Sequence, residues 1–504
     1  MEASASTTGI AGSPALLRPV LRGLAWTGGA QAVDQGLRLV VAAVIARALG
    51  PGEFGLAGMA IAVAALGTVL ADAAMGSAIV QRPILTEADR STAFWTGLGA
   101  ATALAAVGCA AAAPAAAFYG EPRVAGLLAA MMGGLVLSGA AATHSALLAR
   151  AMRFRSIALV GLAGQLAGAA LGVTIALEGG GAWAIVAQGL GSAGVACALY
   201  WLVEPWRPRL LFDRASFREL GAFSGRLLGS RVCFYLQRYA DNLIVGSRLG
   251  VGALGAYALA YNLMMLPFQR LVDPLRTALF PALARMQDDL SRMRRAWLRC
   301  TRAVAALLIP LLVGLAFTAD DLVAVVLGDG WDAAVAPIRV LAAVGALQSV
   351  IALNSLVLMA LGRARALLRF SLVALALSLA GFLVGVRWGV TGVATGYLAA
   401  TALIVPLYVG VALRALELRA RALGAHLSGV AEAALGMAVI LVALRLGLDA
   451  LGAAPAVRLG ACVALGAAAA GALLAWRVPE LVTDARAAYT AVVDRPPDPV
   501  RSAS

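Results

Sequence analysis

The chain has 504 residues, of which 62% are hydrophobic and 13% charged, with a mean hydropathy of +0.88. An average soluble domain carries about 25% charged residues, so this composition excludes a water-soluble fold. The net charge of +14 would fit a nucleic-acid partner, but the basic residues, all Arg, are dispersed without a basic stripe or interleaved aromatics, and no nucleic acid is expected.

A spanning helix needs about 20 apolar residues, whereas a membrane β-barrel would read as short alternating strands. In chain order, fourteen apolar runs satisfy the first pattern: about 24–48, 55–80, 92–117, 123–149, 156–177, 182–203, 221–247, 253–279, 298–319, 333–361, 367–386, 390–413, 425–447 and 456–476. The expected fold is an all-α integral membrane protein of about 14 transmembrane helices. It divides into a tail (1–22), an N-lobe (23–203), a cytoplasmic linker (204–220), a C-lobe (221–413), two further spans (414–477) and a second tail (478–504). No cleavable signal peptide is read in the first segment.

Arg is retained on the cytoplasmic side of a membrane. With both termini inside, the cytoplasmic segments carry 26 Arg and the outer ones five, and the longest outer loop holds Asp320, Asp321, Asp329 and Asp332. Pro205 to Glu219 and Met286 to Arg299 look amphipathic and basic, suited to the headgroup surface. Trp183, Trp206, Trp331 and Trp476 fall near span ends and read as interfacial anchors.

An internal repeat appears at an offset of 200 residues. Leu49-Gly50-Pro51-Gly52-Glu53-Phe54-Gly55 aligns with Leu249-Gly250-Val251-Gly252-Ala253-Leu254-Gly255. Weaker echoes set Arg153-Phe154-Arg155 against Arg363-Ala364-Arg365, and Gly181-Ala182-Trp183 against Gly389-Val390-Thr391. Six spans separate equivalent features, so the halves share one orientation. Both turns satisfy G-x-G-x-x-G, but a dinucleotide site needs a preceding strand, and here the glycines serve a turn between helices.

An ionisable group in hydrocarbon costs at least ~2.5 kcal/mol and is normally kept in a cavity. Gln31, Asp34 and Arg38 share one face of the first span, and Asp72 lies in the second. Arg231, Tyr235, Arg238, Asp241 and Asn242 recur on the seventh, and Gln269, Arg270, Asp273 and Arg276 on the eighth. These are the first two helices of each half, so a polar cleft between halves is expected. The substrate-binding candidates are Arg38, Arg231, Arg238, Arg270, Arg276, Gln31, Asn242 and Gln269, and the ion-coupling candidates are Asp34, Asp72 and Asp241. Excess guanidinium implies an anionic group such as phosphate on the substrate. The cysteines (Cys109, Cys197, Cys233, Cys300, Cys462) are scattered and read as small buried hydrophobes. His144 and His426 are isolated, and neither a metal, a cofactor nor a catalytic constellation is expected.

Several stretches taken together resemble the polysaccharide transporters, or lipid-linked oligosaccharide flippases, of the multidrug/oligosaccharidyl-lipid/polysaccharide (MOP) exporter superfamily. They are Ala46 to Gly55, Ala78-Ile79-Val80-Gln81-Arg82, Ser91-Thr92-Ala93-Phe94-Trp95, Ala117 to Pro122, Tyr239-Ala240-Asp241-Asn242, Leu279-Phe280-Pro281-Ala282-Leu283 and Gly328-Asp329-Gly330-Trp331. The resemblance covers roughly residues 20 to 410. It implies a two-lobed inner-membrane transporter, not an enzyme. Such a transporter moves an undecaprenyl-pyrophosphate-linked saccharide between leaflets by alternating access, for lipopolysaccharide, capsule or exopolysaccharide biosynthesis. Its expected partners are the lipid-linked saccharide, membrane lipids and other polysaccharide-assembly proteins. The superfamily also admits a cation-coupled multidrug antiporter, against which fourteen spans and the Arg excess argue.

Overall fold

A computed structural model describes residues 14–71, 85–214, 235–481 and 483, apart from the side chains of 14–35, 37 and 71. Among the described residues the chain is helical throughout and contains no strand. Contacts divide it into two compact units, one ending at Tyr239 and the other beginning at Ala240.

In the first unit, α1 (Pro14–Ala71) is broken at Gly50, and α2 (Glu87–Ala110), α3 (Ala112–Tyr119), α4 (Arg123–Arg150), α5 (Phe154–Leu177) and α6 (Trp183–Val203) follow. α1 packs on α2, α4 and α5, while α6 packs on α4 and α5. Thr86 caps α2 through a capping box with Asp89, satisfying end donors that have no intrahelical partner. Helix α7 covers 235–249 and crosses the division between the units.

The second unit holds α8 (Val251–Pro267), a π-turn (Phe268–Val272), α9 (Asp273–Ala284), α10 (Leu290–Leu322), α11 (Val335–Ser349), α12 (Asn354–Ala360), α13 (Ala364–Gly385), α14 (Gly389–Ala415), α15 (Ala420–Ala450) and α16 (Pro455–Arg477). α10 packs on α11, α15 and α16, so the last two helices belong to the same body. Eleven helical stretches are long and apolar enough to cross a membrane. Breaks at Gly50 and at Val386–Trp388 each divide one of them, and with α7 the described residues contain all or part of every expected span.

The repeat is written in the backbone. Gly50 (φ 70°, ψ 173°) and Gly250 (φ 84°, ψ −174°) adopt nearly the same left-handed geometry, which L side chains avoid. Met152 and Gly362 have φ of 56° and 68°, and the following Arg153 (φ −82°, ψ 51°) and Arg363 (φ −85°, ψ 44°) occupy the same helix-entry conformation.

Two sequence readings are corrected. Trp331 is fully buried and is therefore a core residue, whereas Trp183 and Trp476 are exposed. Cys462 is buried, but Cys109 is exposed, with its Sγ 3.9 Å from the Ala129 carbonyl oxygen of α4. The segment after α6 forms no helix through 213. Its backbone is held by side chains of α2: Arg209 N–H donates to Ser91 Oγ at 3.2 Å and Asp213 N–H to Thr92 Oγ1 at 2.9 Å. Trp206 Nε1–H donates to Glu87 Oε1 at 2.8 Å and ties this strap to α2. The second amphipathic segment forms the first turns of α10, with Met293 and Trp297 buried and Arg292, Arg295 and Arg299 exposed.

Candidate functional site

The first unit has an open cavity of about 760 Å³ between α1, α4, α5 and α6. Arg38 lines it, together with Thr68, Ser138, Gln165, Gln188 and Ser192. Close backbone approach of α5 to α6 places the two glutamines on its wall: a Cβ added to Gly168 would stand 2.4 Å from the Gln188 carbonyl oxygen. Among the described residues, the side chains of Ser138, Gln165, Gln188 and Ser192 have no hydrogen-bond partner. Amides and hydroxyls in an apolar bundle ordinarily satisfy one another, whereas these line an open cavity. Sequence reasoning singled out Arg38 but missed the wall, because it weighed charges above neutral polar residues. A Gln in mid-span is a signal of the same kind.

The second unit is built differently. Asp241 is buried on α7, with Oδ2 accepting from the Tyr257 hydroxyl at 3.1 Å and Oδ1 from the Asn242 backbone N–H at 2.7 Å. Tyr261 stands beside Tyr257, ring centroids 6.2 Å apart. On α11, Gln348 Nε2–H donates to the Tyr397 hydroxyl at 2.8 Å. Gln269 and Arg270 sit on the π-turn after Pro267, a local unwinding that re-aims side chains and recurs at functional sites. Arg276 is committed to Ser355 Oγ at 2.7 Å and lies 3.5 Å from Asp273. Arg238 lies over the Tyr239 ring at 5.2 Å. The side chains of Gln31 and Asp34, and all of Asp72 and Arg231, lie outside the described residues.

Away from these sites, one carboxylate gathers the turns of the first unit. Glu53 Oε1 pairs with Arg123 at 2.7 Å, and Oε2 accepts the Ala182 N–H at 2.9 Å. In the second unit, Asp321, with a fully buried side chain, pairs with Arg458 at 2.8 Å, and Asp320 pairs with Arg445 at 2.5 Å. Among the described residues, no group of three or more His, Cys, Asp or Glu side chains is placed to hold a metal ion.

Residues 44–336 match the family model described as "Polysaccharide biosynthesis protein". The chain is similar to the succinoglycan biosynthesis transport protein ExoT of Rhizobium meliloti (strain 1021), 28% identical over 62% of this chain and 64% of that protein, thus spanning less than two thirds of its length. It is also similar to the lipopolysaccharide biosynthesis protein WzxC of Escherichia coli (strain K12), 27% identical over 76% of this chain and 78% of that one. Among solved structures, the fold matches the lipid II flippase MurJ in an inward closed conformation, with a TM-score of 0.74, 14% identity, and coverage of 90% and 99% of the two chains. An inward-facing multidrug transporter of the MATE family matches with a TM-score of 0.61, 13% identity, and coverage of 76% and 94%. At such identities these structures speak for the fold alone. The family model covers more than half of the sequence, and this multi-pass membrane protein belongs to the polysaccharide biosynthesis protein family.

Proposed function

We propose that the protein is a flippase. It carries an undecaprenyl-pyrophosphate-linked saccharide from the inner to the outer leaflet of a bacterial cytoplasmic membrane, with both termini in the cytoplasm, and so serves surface polysaccharide synthesis. The observation that carries this reading is the wall of unpartnered amides and hydroxyls around the cavity that Arg38 lines. A saccharide presents many hydroxyls, each of which needs a donor and an acceptor once water is removed, and Gln165, Gln188, Ser138 and Ser192 offer both. A guanidinium matches the oxygens of a phosphate ester. A drug cation would find neither property useful.

Alternating access between the two lobes exposes this wall first to one side and then to the other. In this reading Arg231, Arg238, Arg270 and Arg276 complete the anion-binding surface with Gln31, Asn242 and Gln269. Asp241, held by Tyr257, is the strongest of the three coupling candidates, because a buried carboxylate with a neutral donor responds to a proton or a cation at its oxygens. Asp34 and Asp72 complete the coupling set.

The test is to delete the gene and quantify lipid-linked saccharide by leaflet together with polysaccharide at the cell surface. Complementation then uses wild type, Arg38→Ala with Arg238→Ala, and Gln165→Leu with Gln188→Leu. Accumulation in the inner leaflet and loss of surface polymer, rescued by wild type alone, is the expected result. Unchanged saccharide pools with increased sensitivity to cationic drugs would replace flipping with multidrug export.

A further inference from the structure

Helices α13 and α14 touch tightly near the turn that joins them, where a Cβ added to Gly385 would meet the Gly392 carbonyl oxygen at 2.1 Å. Toward their other ends they leave a groove of about 440 Å³. Its walls are Phe370, Val373 and Leu407, and its floor is firm because Phe370 stacks on the buried Tyr408 with ring centroids 3.7 Å apart. Gly410 keeps it open, since a Cβ there would meet nothing within 4 Å. At this far end stand Arg369 from α13 and Arg414 from the last turn of α14.

Both guanidinium groups are exposed, and among the described residues neither has an ion pair or hydrogen bond. The nearby carboxylate Glu417 is already taken by Arg294 at 2.8 Å. Arg414 suits a helix C-terminus, and Arg369 stands one turn inside the start of α13. An anion between the two helices would pair with both. Val373 and Leu407 are about half exposed, so the apolar groove opens outward, onto acyl chains in a membrane-spanning protein.

We propose that this groove is a binding site for an anionic phospholipid, its phosphate between Arg369 and Arg414 and an acyl chain against Phe370, Val373 and Leu407. Basic pockets between membrane helices hold anionic headgroups in this way. A soluble phosphate would leave the apolar wall unused. The site is independent of the cavity lined by Arg38 and of what that cavity carries.

The test is native mass spectrometry on delipidated, full-length protein, titrated with dioleoyl phosphatidylglycerol or dioleoyl phosphatidylethanolamine. Wild type is expected to prefer the anionic lipid. Arg369→Gln with Arg414→Gln should weaken that binding by roughly thirtyfold, about one charge interaction per Arg. Gly410→Leu, which fills the groove and keeps both charges, should weaken it as well. Arg365→Gln with Arg419→Gln removes equal charge outside the groove lining and should leave binding unchanged. The proposal is overturned if that control pair loses as much affinity, if the filled groove binds like wild type, or if undecaprenyl phosphate or inorganic phosphate displaces the phospholipid at equal concentration.

Discussion

The two copies of the repeated turn share a backbone and differ in duty. Gly50 and Gly250 take the same left-handed conformation. Three residues later the first copy has Glu53, which binds Arg123 and the N–H of Ala182, while the second has Ala253. The second unit instead relies on Asp320 and Asp321 at the end of α10, which hold Arg445 of α15 and Arg458 of α16. The reason is topological: this unit has two extra helices to hold, and α10 packs on both. The duplicated feature is thus the chain reversal, while the polar ties follow whichever helices happen to be neighbours. The interiors differ in the same manner, with a hollow wall of unpartnered polar groups in the first unit and a closed carboxylate–tyrosine pair in the second.

The sharpest way to break this comparison is Asp321→Ala. Its side chain is 0% exposed, and its loss takes from Arg458 its nearest carboxylate and leaves it Asp449 alone, at a cost of about 2–3 kcal/mol. Thermal unfolding in detergent should show this large drop, against about 1 kcal/mol for Glu53→Gln, whose pair is partly exposed. Equal losses would mean that the ties are equivalent after all. Next in size, Gly50→Ala and Gly250→Ala should each cost about 1–2 kcal/mol, because both force an L side chain into the left-handed region. If one of them is silent in the same assay, the backbone repeat is broken at that copy.

The smallest effect concerns acid. Arg302, almost buried on α10, hydrogen-bonds the exposed Glu480 and holds its carboxyl below the ordinary value of 4.5. A depressed carboxylate contributes its stability in full above the unfolded pKa and loses it as pH falls through the folded one. Melting temperature should therefore fall below about pH 4.5, and Glu480→Gln should flatten that decline. An unchanged acid slope in the variant would remove Glu480 from the account.

Several motifs that carry the family resemblance now have physical explanations. Ser91-Thr92-Ala93-Phe94-Trp95 holds the strap after α6: Ser91 and Thr92 accept its backbone N–H groups, and Trp95 Nε1–H donates to the Arg209 carbonyl at 2.8 Å. His144, isolated in sequence, lies in the same place, stacked on Trp201 at 4.5 Å. Gly330 takes a positive φ of 87° just before the buried Trp331, which is why that loop ends inward rather than at an interface. The strap was not legible beforehand, since its contacts join groups more than a hundred residues apart along the chain.

By itself the sequence determined the class, the spans and the repeat, and it named Arg38 and Asp241 among its candidates. These follow from local properties: the length of apolar runs, the cost of charge in hydrocarbon, and glycines where the chain must turn. The tertiary structure alone decided which neutral polar residues line the cavity and which Arg is committed to a neighbour, as Arg276 is to Ser355. It also decided which Trp is core and which carboxylate ties the last helices down. A polar side chain in a membrane helix looks the same in sequence whether it faces a partner, a cavity or lipid. Only the packing of the neighbouring helices distinguishes those fates, because each depends on what stands across from the residue in space.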